Sequence, residues 1–302
     1  MDSDDALRDR MSVAVITHNR REQLMETLDN LCALPEDVPI LVVDNGSMDG
    51  TAVAVSERYR NVTLLRPGRN LGAAGRNLAV QQLATRYVAF ADDDTWWEPG
   101  SLTQAAQIFN DHPELAVLTA RIIVEPSGRT DPICEEMARS PLRHRSALPG
   151  HALLSFLAGA SIVRRQAFLD AGGFDARLFI GGEEEHLAAE LASAGWAMAY
   201  VPQLVVHHRA GLRDAHQRRR YGIRNTLWFT WERRPWRSAM WRTLRFVPGL
   251  PRDRITLLAV LDAISGLPTV LLHRRVVPPL VEMGYRLLDE QQLHSTARRY
   301  IS

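Results

Sequence analysis

The first half of the chain repeats one pattern: a short apolar run, a polar cluster, then apolar residues at helical spacing. Val13–Thr17 is followed by His18-Asn19-Arg20 and a helical stretch to about Leu34. Pro39–Val43 leads into Asp44-Asn45-Gly46-Ser47, after which Asp49-Gly50-Thr51 opens a second helix. Val62–Leu65 precedes the loop Arg69–Gly75 and a helix over Arg76–Ala84, and Tyr87–Ala91 runs directly into Asp92-Asp93-Asp94. Short β-rich runs alternating with helices predict a mostly parallel sheet covered by helices. In open sheets of this kind ligands bind beyond the carboxyl ends of the strands. Topology alone therefore brings the four polar clusters to one crevice.

Downstream of Pro99 the pattern predicts a helix to about Asp111 and a strand over Ala116–Val124. Glu125–Gly150, rich in Pro, Gly, Ser and Arg, predicts a hairpin and a mobile loop. Leu153–Val163 reads as a strand whose small residues, Ala158-Gly159-Ala160-Ser161, suit close approach by another segment. A second acidic run, Gly182-Glu183-Glu184-Glu185-His186, precedes a helix that Gly195 ends; Trp196–Val201 is a strand, and Val205-Val206 leads into His207-His208. From Ala210 the pattern is helical and arginine-rich. The expected division is a polar tail over 1–11, a ligand-binding domain over 12–210 and a helical region over 211–302.

Charge narrows the function classes. The 302 residues carry 36 basic and 35 acidic side chains, a formal +1, so the chain has no global field for wrapping nucleic acid. Every basic residue is arginine; no lysine occurs. Cys32 and Cys134 are far apart and lack metal-ligand spacing, and the polar N-terminus lacks an apolar signal region, so a soluble, cytoplasmic chain is expected. The longest apolar stretch, Ile255–Leu272, is interrupted by Asp262, Gly266 and Pro268, which predicts one or two packed helices rather than a span. Trp228, Trp231, Trp236 and Trp241, interleaved with arginines, read as core and interface positions. Two outlets remain for that surface: peripheral contact with an anionic membrane on its cytoplasmic face, or a homo-oligomer.

Three carboxylates at a strand end suit a hard divalent cation, Mg²⁺ or Mn²⁺, bridging protein and diphosphate. Without a cation, Asp92, Asp93 and Asp94 would repel one another. The competing reading is a helix cap at Asp94 or Thr95, which explains one aspartate and not three. Glu183-Glu184-Glu185 can be acids favoured by a helix N-terminus, or can supply a catalytic base. His207 and His208 point to opposite faces of a strand, so one at most faces the cation. Arg218-Arg219-Arg220 and Arg224 fit a solvated helix face, although one guanidinium can reach a diphosphate.

Together these residues resemble the family-2 glycosyltransferases, inverting enzymes with the GT-A fold, over roughly Val13 to Arg224. Val15-Ile16-Thr17-His18-Asn19-Arg20 is similar to that family's opening strand, and Val42 to Thr51 to its nucleotide-binding turn. Asn70 to Asn77 is similar to the loop and helix after the third strand, and Phe90-Ala91-Asp92-Asp93-Asp94 to its DxD motif. The resemblance implies a Rossmann-like, mostly parallel sheet flanked by helices, with a C-terminal helical extension. It implies that Asp44 meets the donor base, that Thr17 and Arg20 border the nucleotide, and that Asn70, Arg76 and Asp93 lie on the donor side. Asp92 and Asp94 become the DxD pair, with Asp94 the direct metal ligand.

Counting back from Gly195-Trp196 places Glu184 at the family's general-base position, usually an aspartate, with Glu183 and Glu185 as neighbouring candidates. Spacing from Pro202 favours His208 as the metal-binding histidine, and Arg224 is implied to meet donor phosphates. The implied reaction is a metal-assisted single displacement. It moves a sugar from a nucleotide-sugar donor (UDP- or dTDP-linked as first choices) to an acceptor hydroxyl, with Glu125–Gly150 as a lid; the expected absence of a membrane span favours a soluble acceptor. A sugar-1-phosphate nucleotidyltransferase and a catalytically silent nucleotide-sugar-binding protein are the alternatives. The first wants a Gly-rich basic loop after the opening strand, which Thr17 to Arg20 does not supply. The second wants lost metal or base residues, which are present.

Overall fold

The computed structural model describes residues 6–143, 147–209 and 215–292. After a short helix, α1 (Leu7–Arg10), the expected alternation follows. The parallel strands are β1 (Met11–Thr17), β2 (Ile40–Asp44), β3 (Val62–Leu65) and β4 (Tyr87–Asp92); between them run α2 (Arg21–Cys32), α3 (Thr51–Arg58) and α4 (Gly75–Gln82). β1 pairs in parallel with both β2 and β4, placing Thr17 beside Asp44 and Ile16 beside Asp92. The runs Val13–Ile16, Ile40–Val43 and Val88–Ala91 are continuously apolar rather than alternating, as in a parallel sheet covered on both faces. The polar clusters thereby share one edge.

The second half of the sheet is mixed. β5 (Thr95–Trp97), α5 (Ser101–Asp111), β6 (Leu115–Val124), β7 (Arg129–Thr130), α6 (Pro132–Ala138), β8 (His151–Ala152), β9 (Ser161–Arg164), α7 (Arg165–Asp170), α8 (Glu183–Ser193) and β10 (Ala197–His208) follow in order. The main path runs β3-β2-β1-β4-β9-β6-β10-β5, with β7 on β6 and β8 on β10; β9 is antiparallel to both β4 and β6.

Three expectations change. The strand expected over Leu153–Val163 pairs only from Ser161, because Ala158–Ala160 form a 3-10 turn. That turn hands the Gly159 carbonyl to Thr95 Oγ1 and the Ala158 N–H to Glu184 instead of to a neighbouring strand. The two segments expected at Trp196–Val201 and Val205-Val206 are one strand, shifted in register between Val201 and Val205. Pro202 lies in that interval; it cannot donate to a ladder, and the irregularity absorbs it. Between Glu125 and Gly150 a hairpin and α6 are present; residues 144–146 of the expected mobile loop lie outside the described residues.

Helices α9 (Ala215–Arg233), α10 (Trp236–Phe246), α11 (Arg254–Leu272) and α12 (Pro279–Gln292) complete the chain. Ile223 and Leu227 of α9 pack on Ala259 and Ala263 of α11, while Val281 and Tyr285 of α12 pack with Phe229 and Ala189. α11 is a single helix that runs through Asp262, Gly266 and Pro268. Asp262 is neutralised by Arg220, and the absent side chain of Gly266 admits the Trp228 ring, which a Cβ would overlap. Only Ala259, Ala263 and Val270 of this helix are fully buried, so it is packed on one face and bare on the rest. By length and composition it is the one helix among the described residues that could cross a membrane.

Candidate active site

At the shared strand edge the polar side chains are tied to one another. Thr17 Oγ1 donates to Asp93 Oδ2 at 3.1 Å. Arg20 Nη1 lies 3.1 Å from Asp93 Oδ1 and 3.0 Å from Asp94 Oδ2. Arg76, almost wholly buried, pairs with Asp92 and lies over the Phe90 and Phe174 rings. The repulsion expected among three aspartates is thus relieved by two arginines. The capping reading does not hold: Asp93 and Asp94 form the turn between β4 and β5, and the next helix starts at Ser101.

Asp44 is fully buried. Its Oδ1 accepts from the Ser47 N–H at 2.8 Å, while Oδ2, 3.9 Å from Arg66 Nε, accepts no hydrogen bond among the described residues. A buried acceptor left this way suits an N–H donor from a ligand. Asn70 is exposed and shapes its own loop, with Oδ1 accepting from Gly72 N at 2.9 Å.

The two histidines separate as the strand geometry requires. His207 stacks on Trp96 and puts Nδ1 2.8 Å from Glu125 Oε1. His208 Nε2 lies 3.8 Å from Asp94 Oδ1. Among the described residues no three His, Cys, Asp or Glu side chains converge as a metal cage. Asp94 and His208 present one carboxylate oxygen and one imidazole nitrogen to a common gap. That pair fits a Mg²⁺ or Mn²⁺ completed by phosphate oxygens and water, and does not fit an ion held by protein alone.

The three glutamates form the first turn of α8 and leave it in different directions. Gly182, at φ 92°, makes the left-handed entry that a side chain would strain. Glu183 is buried, and its Oε2 has no hydrogen-bond partner among the described residues. Glu184 is half-buried, with Oε1 3.4 Å from Ala158 N. Glu185 pairs with Arg242 Nη2 at 3.2 Å and so faces the C-terminal helices. Burial pushes the Glu183 carboxyl well above the usual carboxylate range, with Glu184 adding to the shift. Burial likewise raises Glu184, against a lowering by Arg76 and a further raising by Asp92. His186 is driven down to about 3 by burial, so it adds no positive charge to this helix end.

The two acidic clusters meet at the Ala158–Ala160 turn. A Cβ on Gly159 would come 3.0 Å from the Asp92 carboxyl, while the preceding N–H points to Glu184. The small residues there were readable as a close approach; which carboxylates approach was not. Arg224 donates from Nη2 to the Leu178 and Arg177 carbonyls at 2.9 and 3.3 Å and from Nε to Asn225, leaving Nη1 as the nitrogen without a hydrogen bond among the described residues. Fully buried Asn225 donates to the carbonyls of Leu178, Ile180 and Gly181. The Arg224-Asn225 pair therefore clamps the loop that delivers Glu183 and Glu184. Asn225 escaped assignment because its partners are backbone atoms more than forty residues away.

The sequence model described as Glycosyl transferase family 2 matches residues 12–171, just over half of the chain. An N-acetylglucosaminyl-diphospho-decaprenol L-rhamnosyltransferase of Mycobacterium tuberculosis is 31% identical over 239 residues, covering 68% of this chain and 78% of that protein. A poly(ribitol-phosphate) β-N-acetylglucosaminyltransferase, TarS of Staphylococcus aureus, is 32% identical over 113 residues, covering 34% of this chain and 19% of the relative. Among solved structures, a mannosyltransferase from Pyrobaculum calidifontis in complex with GDP-Man and Mn²⁺ superposes with TM-score 0.58 at 19% identity, covering 97% of this chain and 82% of that one. GalNAc-T7 with UDP, GalNAc and Mn²⁺ does so with TM-score 0.62 at 16% identity, over 85% and 54%. The fold is GT-A. With the family pattern matched from the opening strand through the aspartate turn to β9, the chain is a glycosyltransferase and belongs to glycosyl transferase family 2.

Proposed function

We propose that this chain is an inverting enzyme: it moves a sugar from a nucleoside-diphosphate donor, UDP- or dTDP-linked, to an acceptor hydroxyl, with Glu184 as base. The observation that carries the reading is the turn at Ala158-Gly159, which the Glu184 and Asp92 carboxyls both border. Glu184 Oε accepts the hydroxyl proton. The acceptor oxygen forms a bond to the anomeric carbon from the face opposite the diphosphate. The bond to the diphosphate oxygen breaks, and its electron pair departs with the nucleotide. One displacement inverts the centre and needs one base, unlike the carboxylate pair of retaining glycosidases. Desolvation of Glu184 supports the role, since a base with a raised pKa takes the proton more readily.

Asp44 offers its open Oδ2 to the donor base, and Thr17 fixes Asp93 on the donor side. Arg224 offers Nη1 to the phosphates while holding the loop before α8. A divalent cation held by Asp94 and His208 would supply positive charge beside the departing diphosphate. The acceptor we propose is a glycan carried on a polyprenyl diphosphate, in place of the soluble acceptor expected from sequence; its support is the N-acetylglucosaminyl-diphospho-decaprenol named for the mycobacterial relative.

Calorimetric titration with UDP, dTDP, GDP and CDP, each with and without Mn²⁺ or Mg²⁺, tests the reading. Binding of one diphosphate that requires the metal supports it. Absence of binding to all four under every metal condition would remove its donor and with it the reaction.

A further inference from the structure

Of the large apolar side chains exposed among the described residues, all but Met48 and Val53 lie between Trp236 and Leu287. On α11 the exposed Leu257, Leu261, Ile264 and Leu271 recur at i, i+4, i+7 and i+14, one continuous face of a helix about 28 Å long. The opposite face is fastened to α9: Trp228 Nε1 donates to the Ala263 carbonyl at 3.1 Å, and Arg220 grips Asp262 at 2.6 Å. α10 leads into this helix through a short turn and adds exposed Met240, Trp241 and Leu244. The charge around the bare surface has one sign. From Trp236 to Arg275 the sequence holds seven arginines and two acids. Both acids are engaged, Asp253 by Arg219 and Asp262 by Arg220. Arg237, Arg252 and Arg254 are exposed and meet no carboxylate among the described residues.

We propose that this face docks the enzyme on an anionic lipid bilayer, with α11 lying in the plane of the interface and not across it. An apolar stripe flanked by tryptophan and arginine is the composition of an interfacial helix. Charge complementarity selects lipid over a second copy: two identical faces would bring arginine rims together, whereas anionic headgroups oppose them. The attachments to Trp228 and Arg220 select the in-plane pose, because a spanning helix would have to break both. This inference rests on the surface alone and not on the acceptor proposed above.

Flotation of the full chain with vesicles tests it, using phosphatidylcholine alone and equal parts phosphatidylcholine and phosphatidylglycerol. The protein is expected to float with the anionic vesicles, to stay behind with the neutral ones, and to be released by high salt. Leu261→Glu with Ile264→Glu should weaken anionic-vesicle binding by at least about tenfold. Arg252→Glu with Arg254→Glu should weaken it by about fivefold per arginine lost. Both variants should keep the nucleoside-diphosphate binding of the parent, which separates a lost face from a lost fold. No flotation with either vesicle overturns the proposal. So does a stable dimer that the Leu261/Ile264 variant converts to monomer without any vesicle binding, which would give the face to a second copy. Release by detergent but never by salt or alkaline carbonate overturns the in-plane pose. Vesicle binding without nucleotide binding would leave this inference standing and count against the proposed function.

Discussion

Two turns of this molecule carry three consecutive carboxylates each, and the fold treats them in opposite ways. At the β4–β5 turn each aspartate meets a guanidinium: Asp92 meets Arg76, and Asp93 and Asp94 share Arg20. At the start of α8 only Glu185 has one among the described residues, from Arg242, while Glu183 and Glu184 are drawn into surroundings that penalise their charge. Ion pairing favours the charged form, and desolvation favours the proton. The first cluster is thus met by positive charge, and the second is left where burial favours the proton. Under the proposed mechanism the first would face the cation and the second would supply the base, the sorting of carboxylates by environment that lets one site run two tasks.

The largest expected break comes from Glu184→Gln. Loss of a positioned base should lower transfer by about 10²–10⁴-fold, with donor binding unchanged by calorimetry. Transfer at the wild-type rate would remove Glu184 from the mechanism. In the wild type the working form is the ionised carboxylate, so activity should fail as pH drops through its pKa. Because burial raises that pKa, the acid limb should lie above the ordinary glutamate range.

Asp94→Asn tests the other cluster. A charged ligand interaction of about 1.5–3 kcal/mol corresponds to roughly a ten- to hundredfold loss of diphosphate affinity in the presence of Mn²⁺. Affinity without metal should hold. A metal-independent loss would show that the aspartate turn serves the fold or Arg20 rather than a cation. Arg76→Met then probes the connection between the clusters. Arg76 pairs with Asp92 and also lowers the pKa values of Glu183 and Glu184. Its removal should move the acid limb of the rate profile to higher pH, and an unmoved limb would mean that the two turns do not sense each other.

The two clusters were not equally legible in the sequence. The aspartates follow the five-residue apolar run Tyr87–Ala91 and sit at a sequence-local turn, so their place at the strand edge followed from periodicity and topology. Their arginine partners did not, because Arg20 and Arg76 come from two other connections and are brought in only by sheet register. The glutamates posed a harder problem. Three successive identical residues at a helix start point about 100° apart, and no pattern within them says which faces the cleft. That choice is made by long-range neighbours: Arg242 of α10 turns Glu185 away, and the Ala158 N–H receives Glu184. The bare face of α11 is hidden in the sequence for a related reason. Its composition is that of a buried helix, and only the count of available partners leaves it half uncovered.

The smallest and most discriminating effect is expected at Glu183. Its carboxyl is buried, one oxygen lacks a hydrogen-bond partner among the described residues, and its folded pKa stands well above the unfolded value. Between those two values the folded chain keeps a proton that the unfolded chain has released. Stability therefore falls as pH rises across that window, and the loss is complete above the folded pKa. Glutamine cannot ionise and has nearly the same shape. Glu183→Gln should match the parent within about 0.5 kcal/mol below the ordinary glutamate pKa. It should become progressively more stable than the parent as pH rises, read as thermal midpoints across a pH series. Transfer should change by less than about tenfold, well short of the loss expected for a missing base. If Glu183→Gln abolishes transfer while Glu184→Gln spares it, the base moves one residue along the helix, and the buried carboxylate takes the proton.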